Sequence, residues 1–479
     1  MQNRHRPAAH TSLVEIVGVV LIAGVVALLA YLLPPDLTRN QQLLAGIALA
    51  LVPAALWLIA FYRQDLEPEP KFYVLGVFVL SGLLAQTVGE PLIRSVFRYP
   101  QWADNDLLVG YLGALLLVGG VQEFLKYAAV RYTVYQALEF DQPVDGLIYA
   151  ASAGLGYATI LNLNTVLNST GMAPGVLAIQ TAVTALAHAS SAAITGYFLG
   201  TARFQALGRW WVPGGLFVAA LFNGMLATIL ALLPSFGSFG RNDWVLLGLA
   251  AAIAGAIFLV LLRVIRTLNT NFVYERLARR TTPPSLRLLW PVSSPEWPVL
   301  LVLAGMLSVG GGLGWWSLQQ TKSATLDRSQ LLYPARWTAS YKSEGSFEAT
   351  DLRAGLYGPR LSLRMLPATS LSGDNAQLAP DDLIISWPLV RSRELAGFHI
   401  LRAVPQPVAG RQGLRIEYAY LAEPPRGAAP GVMPGLMRAI DTLAASDDQI
   451  YVLTVAVEHQ NETELDHLYQ ETLAGWQLP

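Results

Sequence analysis

The chain has 479 residues, of which 53% are hydrophobic and only 14% charged, with a mean hydropathy of +0.42. A soluble chain carries about a quarter charged residues, and single cores stop growing near roughly 250–300 residues, so the apolar excess belongs to a polytopic membrane protein. A formal net charge of -1 leaves no basic excess to neutralise phosphates and argues against nucleic acid as a partner; the absence of cysteine excludes disulfides, thiolate zinc sites and cysteine nucleophiles.

Nine segments are long and apolar enough to span a bilayer, which takes about 20 residues: 12–34, 41–62, 72–93, 106–130, 145–168, 175–200, 211–234, 243–265 and 297–317. The first is long for a signal peptide, has no clear small-residue cleavage site and is followed at once by another span, so it reads as a retained helix. With the N-terminus cytoplasmic, Arg4, Arg6, Arg63, Lys71, Arg203, Arg209 and the Arg263–Arg287 cluster fall inside, against Arg39, Arg94, Arg98 and Arg241 outside. From about residue 322 the pattern alternates apolar and polar residues between Pro/Gly turns, and "NETELDHLYQETLAGW" closes the chain as an amphipathic helix. The expected fold is an all-α polytopic membrane helix bundle of about nine transmembrane helices followed by a soluble α+β domain. Its expected divisions are N-terminal spans (1–60), a central core (61–235), further spans with a basic cytoplasmic loop (236–321) and an extracytoplasmic domain (322–479).

An ionisable residue deep in a span costs about 2.5–3.5 kcal/mol on insertion scales, so it faces the bundle interior with a partner. Four spans carry polar groups: Gln122, Glu123 and Lys126; Asn162 and Asn164; His188; and Asn223. At about 1.5 Å rise per residue, Glu123 lies roughly 15 Å deep from the cytoplasmic side, His188 and Asn223 roughly 20 Å, and Asn162 roughly 25 Å. These depths permit one shared cluster. Glu123 and Lys126 stand i,i+3 on a helix and can form a structural ion pair. His188 reads equally as an interhelical hydrogen bond, and Asn162 and Asn223 as interhelical glue. Ala150/Gly154 and Ser152/Gly156 are small residues four apart, which lets backbones approach closely.

The order of "DLEPEPKFYVLGVFVLSG", "GGVQEFLKYAAV", "FDQPVDGLIYAASAGLGYATILN", "AHASSAAITGYFLG" and "AALFNGML" resembles the PrsW family of intramembrane proteases, over roughly residues 60–230. The resemblance implies a wet reservoir in the bilayer where a carboxylate activates water against a peptide bond, alone or with a metal. It points to Glu123 and His188 as the residual catalytic positions, with Gln122, Lys126, Asp145, Asn162 and Asn223 in support. The departures are Gln122 for the first Glu of the family's Glu-Glu-x-x-Lys, Leu161 for the Glu of Glu-Asn, Ala219 for the His of the last motif and Ala192 for a Thr. An amide is no general base near neutral pH, and leucine and alanine bind no metal. One carboxylate and one imidazole fall short of the three protein ligands of a catalytic zinc.

The leading expectation is therefore a pseudoprotease that binds membrane-helix substrates or partners and needs no cofactor. An active intramembrane endopeptidase using Glu123 and His188, with a divalent metal such as zinc on those two residues, is the alternative; a transporter or channel is the second. The C-terminal segment, with Pro334 and Trp337 in an early strand and a last strand feeding a helix, resembles PsbP-like domains, which implies binding of an extracytoplasmic protein or ligand. His459 and His467 read as exposed surface residues.

Overall fold

Eight helices among the described residues are long and apolar enough to cross a membrane: Leu44–Tyr62, Lys71–Trp102, Leu107–Arg131, Pro143–Asn168, Gly175–Phe204, Trp211–Ala231, Arg241–Phe272 and Trp297–Leu318. They follow the predicted spans in order. The computed structural model describes residues 39–168, 174–233, 240–281 and 296–478, apart from 344, 352–353, 355–356, 368–379, 409–410, 412, 425–432 and 447–448, together with Gly24, Val25 and Leu28. The predicted span 12–34 lies outside the described residues save for those three. The chain divides into two units, Met1–Gly314 and Trp315–Pro479.

We label the helices α1 (Arg39–Tyr62), α2 (Lys71–Leu84), α3 (Leu107–Gly113), α4 (Gly120–Arg131), α5 (Pro143–Asn168), α6 (Pro174–Phe204), α7 (Trp211–Ala231), α8 (Arg241–Thr281) and α9 (Trp297–Leu318), all in the first unit except the end of α9 from Trp315 on. Prolines set several starts, since a residue at the first helical turn needs no amide donor: Pro70 caps α2, and Pro143 and Pro174 open α5 and α6. The predicted span 72–93 runs further than its apolar pattern suggests. Two π-turns, Ala85–Gly89 and Leu92–Val96, carry the helix past Pro91, and Arg98 at φ 49° ends the run. A third π-turn, Ala114–Gly119, joins α3 to α4.

Helices α5 and α6 form the centre: 89% and 83% of their apolar stretches are buried, against 22–61% for the other spans. Small residues make this possible. A Cβ at Gly154 would collide with the His188 carbonyl on α6, and one at Gly156 with the Phe78 carbonyl on α2. The run "AASAGLGYA" thus serves two neighbours from two sides of one helix.

The second unit contains β1 (Thr321–Leu326), β2 (Ser329–Pro334), β3 (Thr338–Ser343), β4 (Ser346–Thr350), β5 (Arg360–Pro367), α10 (Pro380–Glu394), β6 (Ala396–Pro405), β7 (Gly413–Ala422), β8 (Gly435–Ser446), β9 (Gln449–Glu458), α11 (Glu462–Ala474) and β10 (Trp476–Gln477). Seven strands form one antiparallel sheet in the order β3-β4-β5-β9-β8-β7-β6, and β1, β2 and β10 form a second. Central β9 is buried on both faces, which its nearly unbroken apolar run "IYVLTVAV" requires. Tyr451, Leu453, Val455 and Val457 face a core closed by Leu465, Leu468 and Tyr469 of α11. Ile450, Val452 and Ala456 face the opposite core, closed by Leu383 and Trp387 of α10.

Candidate active site

The π-turn before α4 ends in Gly119, and Gly119 and Gly120 together press α4 against its neighbours. A Cβ on Gly119 would collide with the Ala220 carbonyl of α7, and one on Gly120 would lie 3.1 Å from Met306 of α9. The close approach to α7 brings Gln122 to Asn223, whose Nδ2 donates to Gln122 Oε1 at 2.8 Å. One residue on, Glu123 faces α6.

Lys126 Nζ donates to Glu123 Oε1 at 2.6 Å and lies 2.9 Å from His188 Nδ1. All three side chains are buried, with Glu123 0%, Lys126 1% and His188 5% exposed. An ammonium has only donors, so with Lys126 charged, His188 Nδ1 is the acceptor and the imidazole proton sits on Nε2. Ser191 Oγ, one turn from His188, donates to Glu123 Oε1 at 3.0 Å. The Tyr157 ring stacks on His188 with centroids 5.9 Å apart, and Lys126 Nζ lies 5.4 Å from the Tyr157 centroid. Two polar atoms here are buried without a hydrogen-bond partner: Glu123 Oε2 and Tyr157 Oη.

The structure therefore brings Glu123, Lys126 and His188 into direct contact and joins Gln122 to Asn223 beside them. Asn162 is engaged elsewhere, its Nδ2 donating to the Thr181 carbonyl at 2.9 Å. Asp145 is also apart. It lies nine residues before Gly154, the residue packed on the His188 backbone, which is roughly 13 Å along the α5 axis. Ser191 and Tyr157 escape a sequence reading because hydroxyls and rings in a span are ordinary; the signal for Ser191 is its i,i+3 spacing from His188.

Asp145 belongs to a second group. It is the third residue of α5, and its Oδ2 accepts from the Gln142 backbone N–H at 2.6 Å, the return half of a capping box. Asp65 and Glu69, from the turn between α1 and α2, join it: each of the three offers a carboxylate oxygen, all within 4.8 Å of one another, and all three residues are buried. Tyr149 Oη donates to Glu69 Oε2 at 2.5 Å, and the Glu67 backbone N–H donates to Asp65 Oδ1 at 3.2 Å. Burial pushes the Asp65 carboxyl up to about 6 and the Glu69 carboxyl up to about 7, the latter against the lowering effect of the Tyr149 hydroxyl.

The eight apolar helices mark a multi-pass membrane protein, and within it a buried carboxylate, ammonium and imidazole are shared between α4 and α6. Residues 69–255 match the profile of the PrsW family intramembrane metalloproteases. The Protease PrsW of Geobacillus kaustophilus is 32% identical over 169 residues, covering 34% of this chain and 68% of that protein. That of Bacillus subtilis is 29% identical over 195 residues, covering 40% of this chain and 85% of the relative. The chain belongs to the PrsW family. Among solved structures, cyanobacterial PsbP from Synechocystis is similar at 15% identity with a TM-score of 0.26, covering 33% of this chain and 92% of that one.

The family is described as metalloproteases, so the fit of a metal to Glu123 and His188 can be tested on the donors present. It is poor. Lys126 Nζ stands between the two residues, where a cation would have to sit, and His188 retains no free lone pair with Nδ1 accepting and Nε2 protonated. Only Glu123 Oε2 is left to bind, one donor where a catalytic zinc takes three.

Proposed function

We propose that this PrsW-family membrane protein is a pseudoprotease, which keeps the family's helix bundle to bind a transmembrane helix of a substrate or partner and no longer hydrolyses it. The observation that carries this reading is the position of Lys126 Nζ, 2.6 Å from Glu123 and 2.9 Å from His188. A general base must have a free lone pair aimed at water, and an electrophile must stabilise the oxyanion. Here the ammonium ties up one carboxylate oxygen and the imidazole Nδ1 together. Gln122 supplies no base, and Leu161 and Ala219 supply neither a base nor a ligand.

The distribution of Lys and Arg supports a cytoplasmic N-terminus and, with a helix in 12–34, an extracytoplasmic C-terminal domain. That domain would recruit a protein or ligand outside the cell membrane. An active endopeptidase is favoured by one observation, the unpartnered Glu123 Oε2, which could take a proton from water.

The deciding experiment uses the full chain purified in detergent with a fluorescently labelled membrane-helix substrate. The pseudoprotease reading expects binding without cleavage. Cleavage that Glu123→Gln abolishes would overturn it, and loss of that cleavage with a chelator would assign it to a metal.

A further inference from the structure

The acidic group at the membrane-boundary end of the bundle is separate from the Glu123–Lys126–His188 cluster. We propose that Asp65, Glu69 and Asp145 bind one hard divalent cation of the Mg2+, Ca2+ or Mn2+ class, clamping the turn between α1 and α2 to the start of α5.

The geometry suits such an ion. Hard cations hold oxygen ligands at about 2.1–2.4 Å, so oxygens on opposite sides of one ion stand about 4.2–4.8 Å apart and neighbouring ones closer. The three carboxylates offer oxygens within 4.8 Å of one another. An all-oxygen donor set selects this class over zinc or copper, which favour nitrogen and sulfur.

A second observation points to a ligand. Asp65 Oδ2 and Asp145 Oδ1 are buried without a hydrogen-bond partner, in residues only 7% and 0% exposed. In each case the other oxygen is held by a backbone N–H, from Glu67 and Gln142 respectively, which fixes the carboxylate. A proton shared between Glu69 and Asp145 would satisfy one charge and leave Asp65 Oδ2 without a partner. A divalent cation reaches all three. The nearby Arg203 acts on Asp145 through space only: its Nη2 donates to the Ala137 carbonyl, its Nη1 has no hydrogen-bond partner, and its guanidinium packs on the Tyr135 and Phe140 rings.

The site is prepared by the chain. Pro68 and Pro70 stiffen the turn that carries Asp65 and Glu69, and the capping bond positions Asp145. Ordering the ligands before the ion arrives lowers the entropic cost of binding.

The test is direct metal binding to the full chain in detergent after chelator treatment. Free Mn2+ is followed by electron paramagnetic resonance, and Tb3+ by luminescence sensitised through Tyr149, whose hydroxyl touches Glu69. One saturable site is expected, competed by Ca2+ or Mg2+, with a thermal midpoint that rises as the ion saturates. Asp65→Asn and Asp145→Asn should each weaken Mn2+ binding at least about tenfold, while Asp466→Asn, an exposed acid of the other unit, should bind as wild type. If Asp145→Asn does not yield monodisperse protein, Asp65→Asn decides, because it leaves the α5 cap intact. No saturable Mn2+ uptake by the wild type up to about 1 mM, or uptake indifferent to Asp65→Asn, overturns the proposal.

Discussion

Replacing Lys126 by methionine tests whether the ammonium is the counterion that keeps Glu123 buried. The substitution preserves the apolar stem and removes the charge. Glu123, 0% exposed, would then keep only the Ser191 hydroxyl on Oε1 and nothing on Oε2. Removing one partner of a buried pair costs about 3–5 kcal/mol, because an uncompensated charge remains or must be neutralised by a proton. At about 3 kcal/mol the unfolding equilibrium constant rises about 150-fold. Glu123→Gln strands Lys126 in the same way and should cost about as much. The double variant leaves neither charge, so its loss should be no larger than that of either single one, a coupling of about 3 kcal/mol. The assay is loss of helical circular dichroism as sodium dodecyl sulfate is titrated into mixed micelles. Single variants within about 0.5 kcal/mol of wild type with an additive double variant would refute the reasoning. That outcome would mean water already solvates Glu123, which would favour the hydrolytic reading.

Gly154→Ala drives a Cβ into the His188 carbonyl and should cost at least about 1–3 kcal/mol in the same titration, whereas Gly255→Ala, with nothing within 4 Å, should be neutral or slightly stabilising. Asn223→Leu removes the bond to Gln122 and should cost about 0.6–2 kcal/mol, again read by unfolding in mixed micelles. In the second unit, Asp441 accepts from Arg391, Trp387 and Tyr418. Burial alone, the largest single influence, would push its carboxyl up, but the Arg391 guanidinium together with the Thr454 and Trp387 hydrogen bonds outweighs burial and holds it below the ordinary range. The sign is that of a depressed acid: its stabilisation is complete above about pH 4 and fades as pH falls through the lower folded value. Asp441→Asn should therefore cost about 3–5 kcal/mol at neutral pH, and proteolytic susceptibility of this unit should show the difference from wild type shrinking below about pH 4.

The spans are legible because a bilayer imposes a length and an apolarity that about twenty consecutive residues record directly. The Glu123–Lys126 pair is legible from helical spacing, and the similar depths of Glu123 and His188 anticipate their meeting through Lys126. Depth is one coordinate, however, and says nothing of rotation about the helix axis. Asn162, also at a compatible depth, turns to the Thr181 carbonyl instead. The π-turns are invisible in the sequence, since an added backbone residue leaves hydrophobic composition unchanged while shifting every later side chain around the helix.

The acidic group is hidden for a different reason. Asp65 and Glu69 lie in a short turn between spans, where carboxylates are ordinarily solvated and carry no information. In the fold they meet Asp145, far away in sequence, and Glu69 also meets Tyr149, one turn further along α5. The family motifs associate Asp145 with Glu123, but the length of α5 separates the two groups. The separation has a mechanical consequence. Lys126 neutralises Glu123 within the bundle, so that cluster needs no added cation, while the acidic group sets three carboxylates together with the Tyr149 hydroxyl on Glu69 and one backbone N–H each on Asp65 and Asp145. A chain that lost its protease ligands could thus still depend on a metal ion for the integrity of its fold, and chelator sensitivity of stability would then be observed without any hydrolysis.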